Sequence, residues 1–228
     1  MLVRPGNPQN VGAVARVVRN AGLAGIDLVA PGDWRTTECW RSAWGAHEVL
    51  EEAREFETLA AALADATWVA ALSGRRDAGE PVLDVRDMAA QAAGLAEDDR
   101  GALVFGPESS GLTLDELALC GRRVRIPSHP KQPSMNLSHA VAVTAYEVFR
   151  AGRRKIEGTR RATGAEKEHM LALLREGLRT IGALPAANES GYFTEWRALF
   201  ERADLTPKEV GLLEHMARKM RRAAGKDE

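Results

Sequence analysis

The chain has 228 residues, of which 45% are hydrophobic and 28% charged, a composition typical of a soluble globular protein with one substantial core plus an appendage. A membrane-spanning protein is excluded, because the apolar runs are too short and too interrupted to cross a bilayer, and no signal-peptide pattern is visible. The two cysteines, Cys39 and Cys120, have no metal-ligand spacing, so we expect no metal and a cytoplasmic location.

The net charge of −1 conceals an asymmetry between two parts of the chain. Residues 1–149 contain 14 Lys/Arg and 20 Asp/Glu, whereas residues 150–228 contain 17 and 12. A basic C-terminal part on an acidic body favours a polyanionic partner for that part. A solvated helical surface explains the same charges, and composition leaves both interpretations open.

Strands and helices alternate along the first 151 residues. In chain order we predict a strand at 1–3, a helix at 11–21 capped by Asn10 and ended by Gly22, and a strand at 26–30. There follow helices at 45–55 and 58–65, a strand at 68–72, a helix at 84–94, a strand at 102–105, a short helix opened by a capping pattern at Thr113, a strand at 124–126 and a helix at 136–151. This order predicts an α/β fold with a mostly parallel sheet covered on both faces.

The remainder has the pattern of a small helical module. Residues 152–165 are rich in glycine, lysine and arginine, which predicts a flexible basic linker. Helical periodicity predicts three further helices, at 166–183, 192–203 and 207–223. We therefore divide the chain into a domain at 1–151, a linker at 152–165 and a helical extension at 166–228.

Three separated segments, residues 10–16, 104–112 and 126–141, each contain a glycine or small polar loop that leads into a helix. Strand ends that converge on one crevice are where open parallel sheets bind ligands. In the first segment, Arg16 lies six residues after Asn10 and is surrounded by alanine and valine. An arginine in such a stretch needs an anionic or carbonyl partner. A buried structural salt bridge is the alternative, and it is the commoner case.

The other two segments add further candidates. Gly106 ends a strand where the backbone must approach something closely, and Glu108 either holds a cationic or N–H group or caps a helix. The phosphate-loop lysine and the GxGxxG fingerprint are both missing, which argues against ordinary nucleotide sites. Ser134 or Asn136 can cap the next helix, but two polar residues after a long proline-rich loop exceed what a cap requires.

Taken together, these segments resemble the motifs of SPOUT-class RNA 2′-O-ribose methyltransferases of the SpoU/TrmH superfamily. The matching residues are Asn10 to Arg16, then Gly106, Glu108, Gly111 and Leu112, then Ile126, Pro127, Ser134, Asn136 and Leu137. The run from Leu2 to Arg16 is most similar to the TrmJ subfamily, which modifies the tRNA anticodon loop. The resemblance covers residues 1–151 and extends weakly into the tail.

The resemblance implies an α/β knot (a deep trefoil), a homodimer, no metal, and S-adenosyl-L-methionine as the cofactor. The residues it implies for cofactor binding are Leu72, Ser73, Gly74, Gly106, Ile126, Pro133, Ser134 and Met135. Those it implies for catalysis are Asn10, Arg16, Glu108, Ser134 and Asn136. Arg16 of one subunit would serve the site of the other, where a guanidinium stabilises the negative charge that develops on the ribose oxygen. Whether Arg16 also accepts the proton is left open.

Basic residues outside the three motifs are candidates for binding tRNA phosphates. They are Arg75, Arg76, Arg153, Arg154 and Lys155, for which solvated loop charge is the alternative. The helical tail is expected to contribute to the same binding of tRNA. A core or dimer contact explains Trp34, Trp40 and Trp44 better than RNA stacking does.

The function implied is 2′-O-methylation of tRNA at anticodon-loop nucleotide 32. Three alternatives are retained: an rRNA 2′-O-methyltransferase, an RNA-binding protein of the same fold with weak catalysis, and an unrelated nucleotide-binding α/β enzyme. The missing phosphate-loop lysine weighs against the last of these.

Overall fold

The structure is a computed structural model that describes residues 1–74, 82–152, 160–184 and 188–224. Its centre is a β-sheet whose strands within these ranges are β1 (Leu2–Val3), β2 (Asp27–Val29), β3 (Arg54–Phe56), β4 (Trp68–Leu72), β5 (Val82–Asp84), β6 (Gly101–Phe105) and β7 (Arg122–Arg125). They lie in the order β3-β2-β1-β6-β4-β7-β5, and every neighbouring pair is parallel. The predicted α/β class with a mostly parallel sheet is confirmed.

Strand β4 aligns the part of the sheet that will carry the site. It is buried from Trp68 to Ala71, as expected of a parallel strand with helices on both faces. It pairs with β6 on one side and with β7 on the other, so that Leu72 lies beside Phe105 and beside Val124. The carboxyl ends of β6, β4 and β7 therefore stand next to one another.

Helices cover both faces of this sheet. In the first part of the chain they are α1 (Pro8–Ala21), α2 (Thr37–Ser42), α3 (His47–Glu51), α4 (Leu59–Ala62), α5 (Val85–Ala92), α6 (Leu114–Ala118) and α7 (Leu137–Ala151). One core contains Val11 and Val14 of α1, and a second contains Leu59 of α4 and Leu117 of α6. No helix in the described ranges is long and apolar enough to span a membrane.

Several predicted elements are wrong in detail. Asn7 caps α1 instead of Asn10: its side chain accepts a hydrogen bond from Gln9 N at 2.9 Å, and Pro8 occupies the first helical position. Gly22 ends α1 as predicted, with φ of 63°. The single helix predicted at 45–55 is a short helix, α3, followed by the strand β3, and α2 and β5 are not predicted from the sequence. These elements have three to six residues, too few for periodicity to identify them.

The tail forms a helical module with a core of its own. Its helices within the described residues are α8 (Gly164–Thr180), α9 (Glu189–Arg202) and α10 (Pro207–Ala224). They pack around Met170, Leu174 and Phe193. Within this core, Lys167 Nζ donates a hydrogen bond to Glu201 Oε2 at 2.7 Å, and both side chains are less than a tenth exposed.

The predicted flexible linker at 152–165 is wrong for its last six residues, which contact both the sheet domain and the tail. Arg161 pairs with Asp99, Ala162 N donates to Leu205 O at 2.7 Å, and Gly164 N donates to Ala66 O at 2.9 Å. Helix α8 already begins at Gly164. Residues 153–159 lie outside the described ranges, so that part of the predicted linker stays a prediction.

Lys167→Met is expected to destabilise the protein, because it leaves the buried carboxylate of Glu201 without its cationic partner. Burial already raises the pKa of Glu201, and Lys167 is the main group that opposes this rise. The free energy of unfolding in urea should fall by about 3 kcal/mol. The pair of substitutions Lys167→Met and Glu201→Leu should recover most of it, whereas Lys208→Met, on an exposed position of α10, should change it little. An equal loss in the double variant would contradict the prediction.

Candidate functional site

A cavity of about 300 Å³ opens at the carboxyl ends of β6, β4 and β7. Its walls come from the loops that follow these three strands, so residues distant in the sequence meet there. All eight residues that the family resemblance implies for cofactor binding line it: Leu72, Ser73, Gly74, Gly106, Ile126, Pro133, Ser134 and Met135. Glu108 lines the same cavity.

The turn after β6 closes so tightly that it requires glycine. A Cβ on Gly106 would lie 2.5 Å from Leu112 N and 2.6 Å from Gly111 C, far inside van der Waals contact. Gly111 has φ of 68°, in the left-handed region that favours glycine. Leu112 is buried in the core beneath the turn and anchors it. The backbone at Gly106 therefore faces the cavity with no side chain over it.

A chain of hydrogen bonds beside the cavity joins the three motifs. Asn136 Nδ2 donates to Asn10 Oδ1 at 3.1 Å, and Asn10 Nδ2 donates to Glu108 Oε1 at 2.6 Å. Gly6 N donates to the other carboxylate oxygen of Glu108 at 3.1 Å. We call Asn136, Asn10 and Glu108 the amide–carboxylate chain. Glu108 does not cap the following helix, because Thr113 does so.

The carboxylate of Glu108 is held in its charged form. Partial burial raises the pKa of Glu108, but the hydrogen bonds from the Asn10 amide and from backbone N–H groups, including that of Gly6, outweigh burial. The net result is a pKa below the usual range of a glutamate. Glu108 is therefore an acceptor that fixes amide groups at neutral pH and cannot act there as a proton donor.

Asn136 and Ser134 have different roles in the loop before α7. Asn136 is the cap of α7: its Oδ1 accepts hydrogen bonds from Ser138 N at 2.9 Å and Ser138 Oγ at 2.7 Å. Its Nδ2 is directed to Asn10, so both ends of the amide are engaged. Ser134 is exposed on the cavity wall and accepts a long hydrogen bond from Gln132 Nε2 at 3.4 Å. Its hydroxyl proton is available to a ligand.

Arg16 lies apart from the other implied catalytic residues. It is exposed on α1 and is not among the residues that line the cavity. Within the described ranges it makes no hydrogen bond or ion pair, so the buried salt bridge suggested as an alternative is not present there. The structure therefore gathers Asn10, Glu108, Ser134 and Asn136, and leaves the Arg16 guanidinium free to reach outside its own chain.

The residues predicted to bind RNA cannot be placed. Arg75, Arg76, Arg153, Arg154 and Lys155 all lie outside the described residues. Arg161, six positions after Lys155, is described and is paired with Asp99 and Asp204. Among the residues that are described, no group of three His, Cys, Asp or Glu side chains is arranged to hold a metal ion.

The three tryptophans have different environments, and α7 has an exposed apolar face that the sequence analysis misses. Trp34 is buried in the core. Trp40 is partly buried and packs against the same core and against His47, whereas Trp44 is 76% exposed. On α7, Val143, Tyr146 and Phe149 are exposed at intervals of three residues, and we call these three the apolar face. The three-residue spacing in the sequence was the available signal.

Two larger cavities lie elsewhere. One of about 530 Å³ is at the amino ends of β1 and β6, near Met1 and Gly101. A second cavity of about 730 Å³ lies between α6 of the sheet domain and α9 of the tail. Parallel sheets bind ligands at the carboxyl ends of their strands. The eight residues implied for the cofactor line the smaller cavity and none of them lines the other two, so the smaller cavity is the candidate site.

The model of the SpoU rRNA Methylase family matches residues 1–146, the part that contains this cavity and all three motifs. The chain belongs to this family. The resemblance to SPOUT-class methyltransferases is thus confirmed.

Individual relatives of this SpoU family chain match it over nearly its whole length. It is 34% identical to a Pseudomonas aeruginosa protein, tRNA (cytidine/uridine/adenosine-2′-O-)-methyltransferase TrmJ, over 93% of this chain and 89% of the relative. The crystal structure of TrmJ from Z. mobilis superposes with a TM-score of 0.83, at 32% identity and 96% coverage of both chains. An AdoMet-bound rRNA methyltransferase from Sinorhizobium meliloti superposes with a TM-score of 0.53, at 26% identity over 65% of this chain and 54% of that one.

Asn10→Ala is expected to destabilise the protein, and more strongly at neutral than at acid pH. The lowered pKa of Glu108 contributes stability that is fully present above the unfolded pKa of about 4.3 and is lost as pH falls through the folded pKa. Removing the Asn10 amide reduces this contribution. Urea unfolding should show a loss of about 1.5–3 kcal/mol at pH 7 and a smaller loss at acid pH.

Asn20→Ala is the matched control, since Asn20 is an exposed asparagine on the same helix. It should leave the free energy of unfolding within error of the parent at both pH values. A loss in Asn10→Ala that does not vary with pH would show that the amide does not act through the Glu108 carboxylate.

Proposed function

We propose that this chain is an S-adenosyl-L-methionine-dependent methyltransferase that acts on a ribose 2′-hydroxyl of tRNA. The observation that carries the proposal is that the amide–carboxylate chain lies directly beside the cavity lined by the eight residues implied for the cofactor. The tRNA substrate is supported by the TrmJ name of the P. aeruginosa relative. The cofactor is supported by the AdoMet-bound neighbour from S. meliloti.

The residues around the cavity fit this cofactor. Leu72, Ile126 and Met135 offer apolar surface to a planar base, and the bare backbone at Gly106 permits close approach of polar groups. The volume of about 300 Å³ is within the range of small-molecule sites. When bound, the cofactor supplies an electrophilic methyl group on a sulfonium, so the protein has only to prepare the acceptor oxygen.

Preparing that oxygen is an electrostatic task. A ribose hydroxyl is a poor nucleophile at neutral pH, and negative charge develops on its oxygen as the methyl is transferred. A guanidinium stabilises this charge and can also hold the adjacent phosphate through a second hydrogen bond. Arg16 is the group that we assign to this task. Ser134 offers a hydroxyl on the cavity wall, and Glu108 and Asn10 act by holding Asn136 and the Ser134 loop in place.

We assign Arg16 to the site of a second subunit. Arg16 is exposed on α1, and α1 packs against α7, whose apolar face is uncovered in the single chain. A second copy that covers Tyr146 and Phe149 would remove a contiguous apolar surface from water. In a two-fold dimer the contacts are mutual, so each subunit would deliver its Arg16 to the other.

The chain path suggests the proposed knot. Strand β7 lies between β4 and β5, although β4 and β5 are consecutive in the sequence. A Cβ on Gly74, after β4, would lie 4.0 Å from Pro133 O in the loop after β7, so the two loops are neighbours. A trefoil requires one such loop to be threaded through another. Such threading is an exception among folds.

The remaining assignments extend the same proposal to the RNA. Arg75, Arg76, Arg153, Arg154 and Lys155 would bind tRNA phosphates together with the basic tail. The proposed target is anticodon-loop nucleotide 32, and the location is cytoplasmic. The family name, which specifies rRNA, makes an rRNA target the second candidate.

Purified protein is expected to transfer a tritiated methyl group from S-adenosylmethionine to tRNA, and Arg16→Ala should lower kcat by about 100-fold. Affinity for S-adenosylhomocysteine should stay within about twofold in this variant, because Arg16 is assigned to the ribose oxygen and its phosphate and not to the cofactor. Arg19→Ala is the control: Arg19 is exposed on the same helix and pairs with Glu48.

Mapping of methylated riboses in the tRNA product should place the modification at nucleotide 32. Methylation of ribosomal RNA but not tRNA would favour the second candidate. Binding of RNA without transfer would favour a binding protein of this fold. Full activity in Arg16→Ala would overturn the assigned mechanism while leaving the methyltransferase itself intact.

Mixing two inactive variants is expected to restore activity if Arg16 acts in the partner's site. In a mixed dimer, one chain carries Arg16→Ala and the other carries Ser134→Ala. The site formed by Ser134 of the first chain and Arg16 of the second chain then has both groups intact. With random exchange of subunits, activity should return to about a quarter of the parental value. If Arg16 acted within its own chain, no site in any dimer would be complete and the mixture would stay inactive.

A further inference from the structure

The turn between β1 and α1 has an unusual backbone at Arg4. Its φ is 45°, in the left-handed region that residues with a Cβ rarely adopt. Arg4 N donates to Val29 O at 2.8 Å, which fixes the start of the turn to the sheet. Pro5 follows and is buried. Since the backbone of Arg4 is strained, contacts of this residue must hold the turn in place.

The side chain of Arg4 supplies such a contact. Its guanidinium makes a two-pronged pair with the carboxylate of Glu116, with Nη2 at 2.9 Å from Oε2 and Nη1 bonded to Oε1. Glu116 is itself fixed, because its Oε2 also accepts from Thr113 N at 2.8 Å in the capping box of α6. The hydrogen bonds from Arg4 are the largest contribution that lowers the pKa of Glu116. Arg4 is therefore tied to a rigid helix start.

The other end of the same turn reaches the candidate site. Gly6, two residues after Arg4, donates its N–H to Glu108 Oε2, the oxygen that Asn10 does not use. The turn therefore contacts two carboxylates. The Arg4 side chain pairs with Glu116 of α6, and the Gly6 N–H bonds to Glu108 in the loop after β6. Movement of the turn would withdraw an N–H from Glu108 and loosen the amide–carboxylate chain.

We propose that Arg4 is a positioning residue for methyl transfer: its pairing with Glu116 holds the turn that keeps Gly6 N on Glu108. Arg4 touches neither the cavity nor the reacting groups, so it acts through Glu108 and Asn10. This inference rests on the proposed function. It adds a residue outside the three motifs to the machinery of the site.

A second ion pair of the same form provides the matched control. Arg54 makes two hydrogen bonds of 2.8 Å with Asp27, between β3 and β2. The side chains of Arg54 and Asp27 are 50% and 14% exposed, against 41% and 14% for Arg4 and Glu116. Pairs this exposed contribute little to overall stability. The two differ in that only the Arg4 turn contacts Glu108.

Arg4→Gly separates positioning from stability. Glycine adopts a positive φ without strain, so the variant should unfold at the same urea concentration as the parent or a higher one. Its kcat is nevertheless expected to fall by about tenfold, because small displacements of positioning groups slow transfer, with little change in KM for S-adenosylmethionine. Arg4→Lys should be intermediate, since lysine keeps the charge but cannot make two parallel hydrogen bonds. Arg54→Ala should keep full kcat.

A titration measures the same effect without turnover. The groups that lower the pKa of Glu108 are all neutral: the Asn10 amide and the backbone N–H groups of Gly6, Asn7 and Glu108 itself. Loss of the Arg4 charge itself raises the pKa of a nearby carboxylate, so Arg4→Lys, which keeps the charge, is measured beside it: a rise of the Glu108 pKa in Arg4→Lys as well reports a movement of the turn. In ¹³C NMR, with Glu108→Gln to assign the signal, the pKa of Glu108 should rise in Arg4→Gly and stay constant in Arg54→Ala.

The outcomes separate the inference from the proposed function. Parental kcat and an unchanged Glu108 pKa in Arg4→Gly would overturn the role of Arg4 while methyl transfer stands. Absence of transfer in the parent, with the Glu108 pKa raised in Arg4→Gly, would overturn the proposed function and retain the structural coupling. Equal losses of kcat in Arg4→Gly and Arg54→Ala would show that the loss of either exposed ion pair lowers kcat, and would overturn the inference.

Discussion

The site depends on the need of one partly buried carboxylate, that of Glu108, for hydrogen-bond donors. Its own backbone N–H is one donor, and the Asn10 amide and the Gly6 N–H supply others from outside its loop. Unpaired, a charge in this position would be costly. Paired, it fixes the start of α1 against the loop after β6, and through Asn10 it fixes the start of α7. One anion thereby aligns three segments of the chain.

The order of the strands creates the place where this can occur. Because β4 lies between β6 and β7, the loops after these three strands rise from adjacent positions at one edge of the sheet. Their small residues and tight turns leave a cavity there instead of a packed core. At the opposite edge, Gly121 at the start of β7 packs closely on the backbone of Glu201 in the tail, and Arg122 pairs with Asp204. Strand β7 is thus held at its far end by the tail while its near end borders the cavity.

Much of the site could be predicted from the sequence because strand ends leave local signals. Gly106 directly follows an apolar run, and Asn136 precedes a helix after the long loop that follows another such run. Parallel strands bring such points together. The cap of α1 was harder to predict. Asn7 and Asn10 both suit a capping position, and only the position of Pro8 in the first turn favours Asn7. Edge strands were missed for a physical reason. Arg54 and Glu55 in β3, and Val82 in β5, are exposed, so these strands lack the buried residues that reveal central ones.

Other features could not be predicted at all, because they depend on relations that a linear pattern does not contain. The bond from Asn10 to Glu108 spans 98 positions, and only the three-dimensional path brings the two side chains together. The sequence around Arg16 suggested burial, yet Arg16 is exposed, because the apolar neighbours face the core and Arg16 faces away from it.

The pairing of β1 with β6 also determines when, during synthesis of the chain, the sheet can form. Leu2 is registered with Phe105, and Asn10 is hydrogen-bonded to Asn136, so β1 and α1 wait for residues made more than a hundred positions later. Contacts of such long sequence separation form slowly. During translation the apolar residues of α1 and β1 are without their final neighbours, so their apolar surface stays exposed to water until α7 has been synthesised.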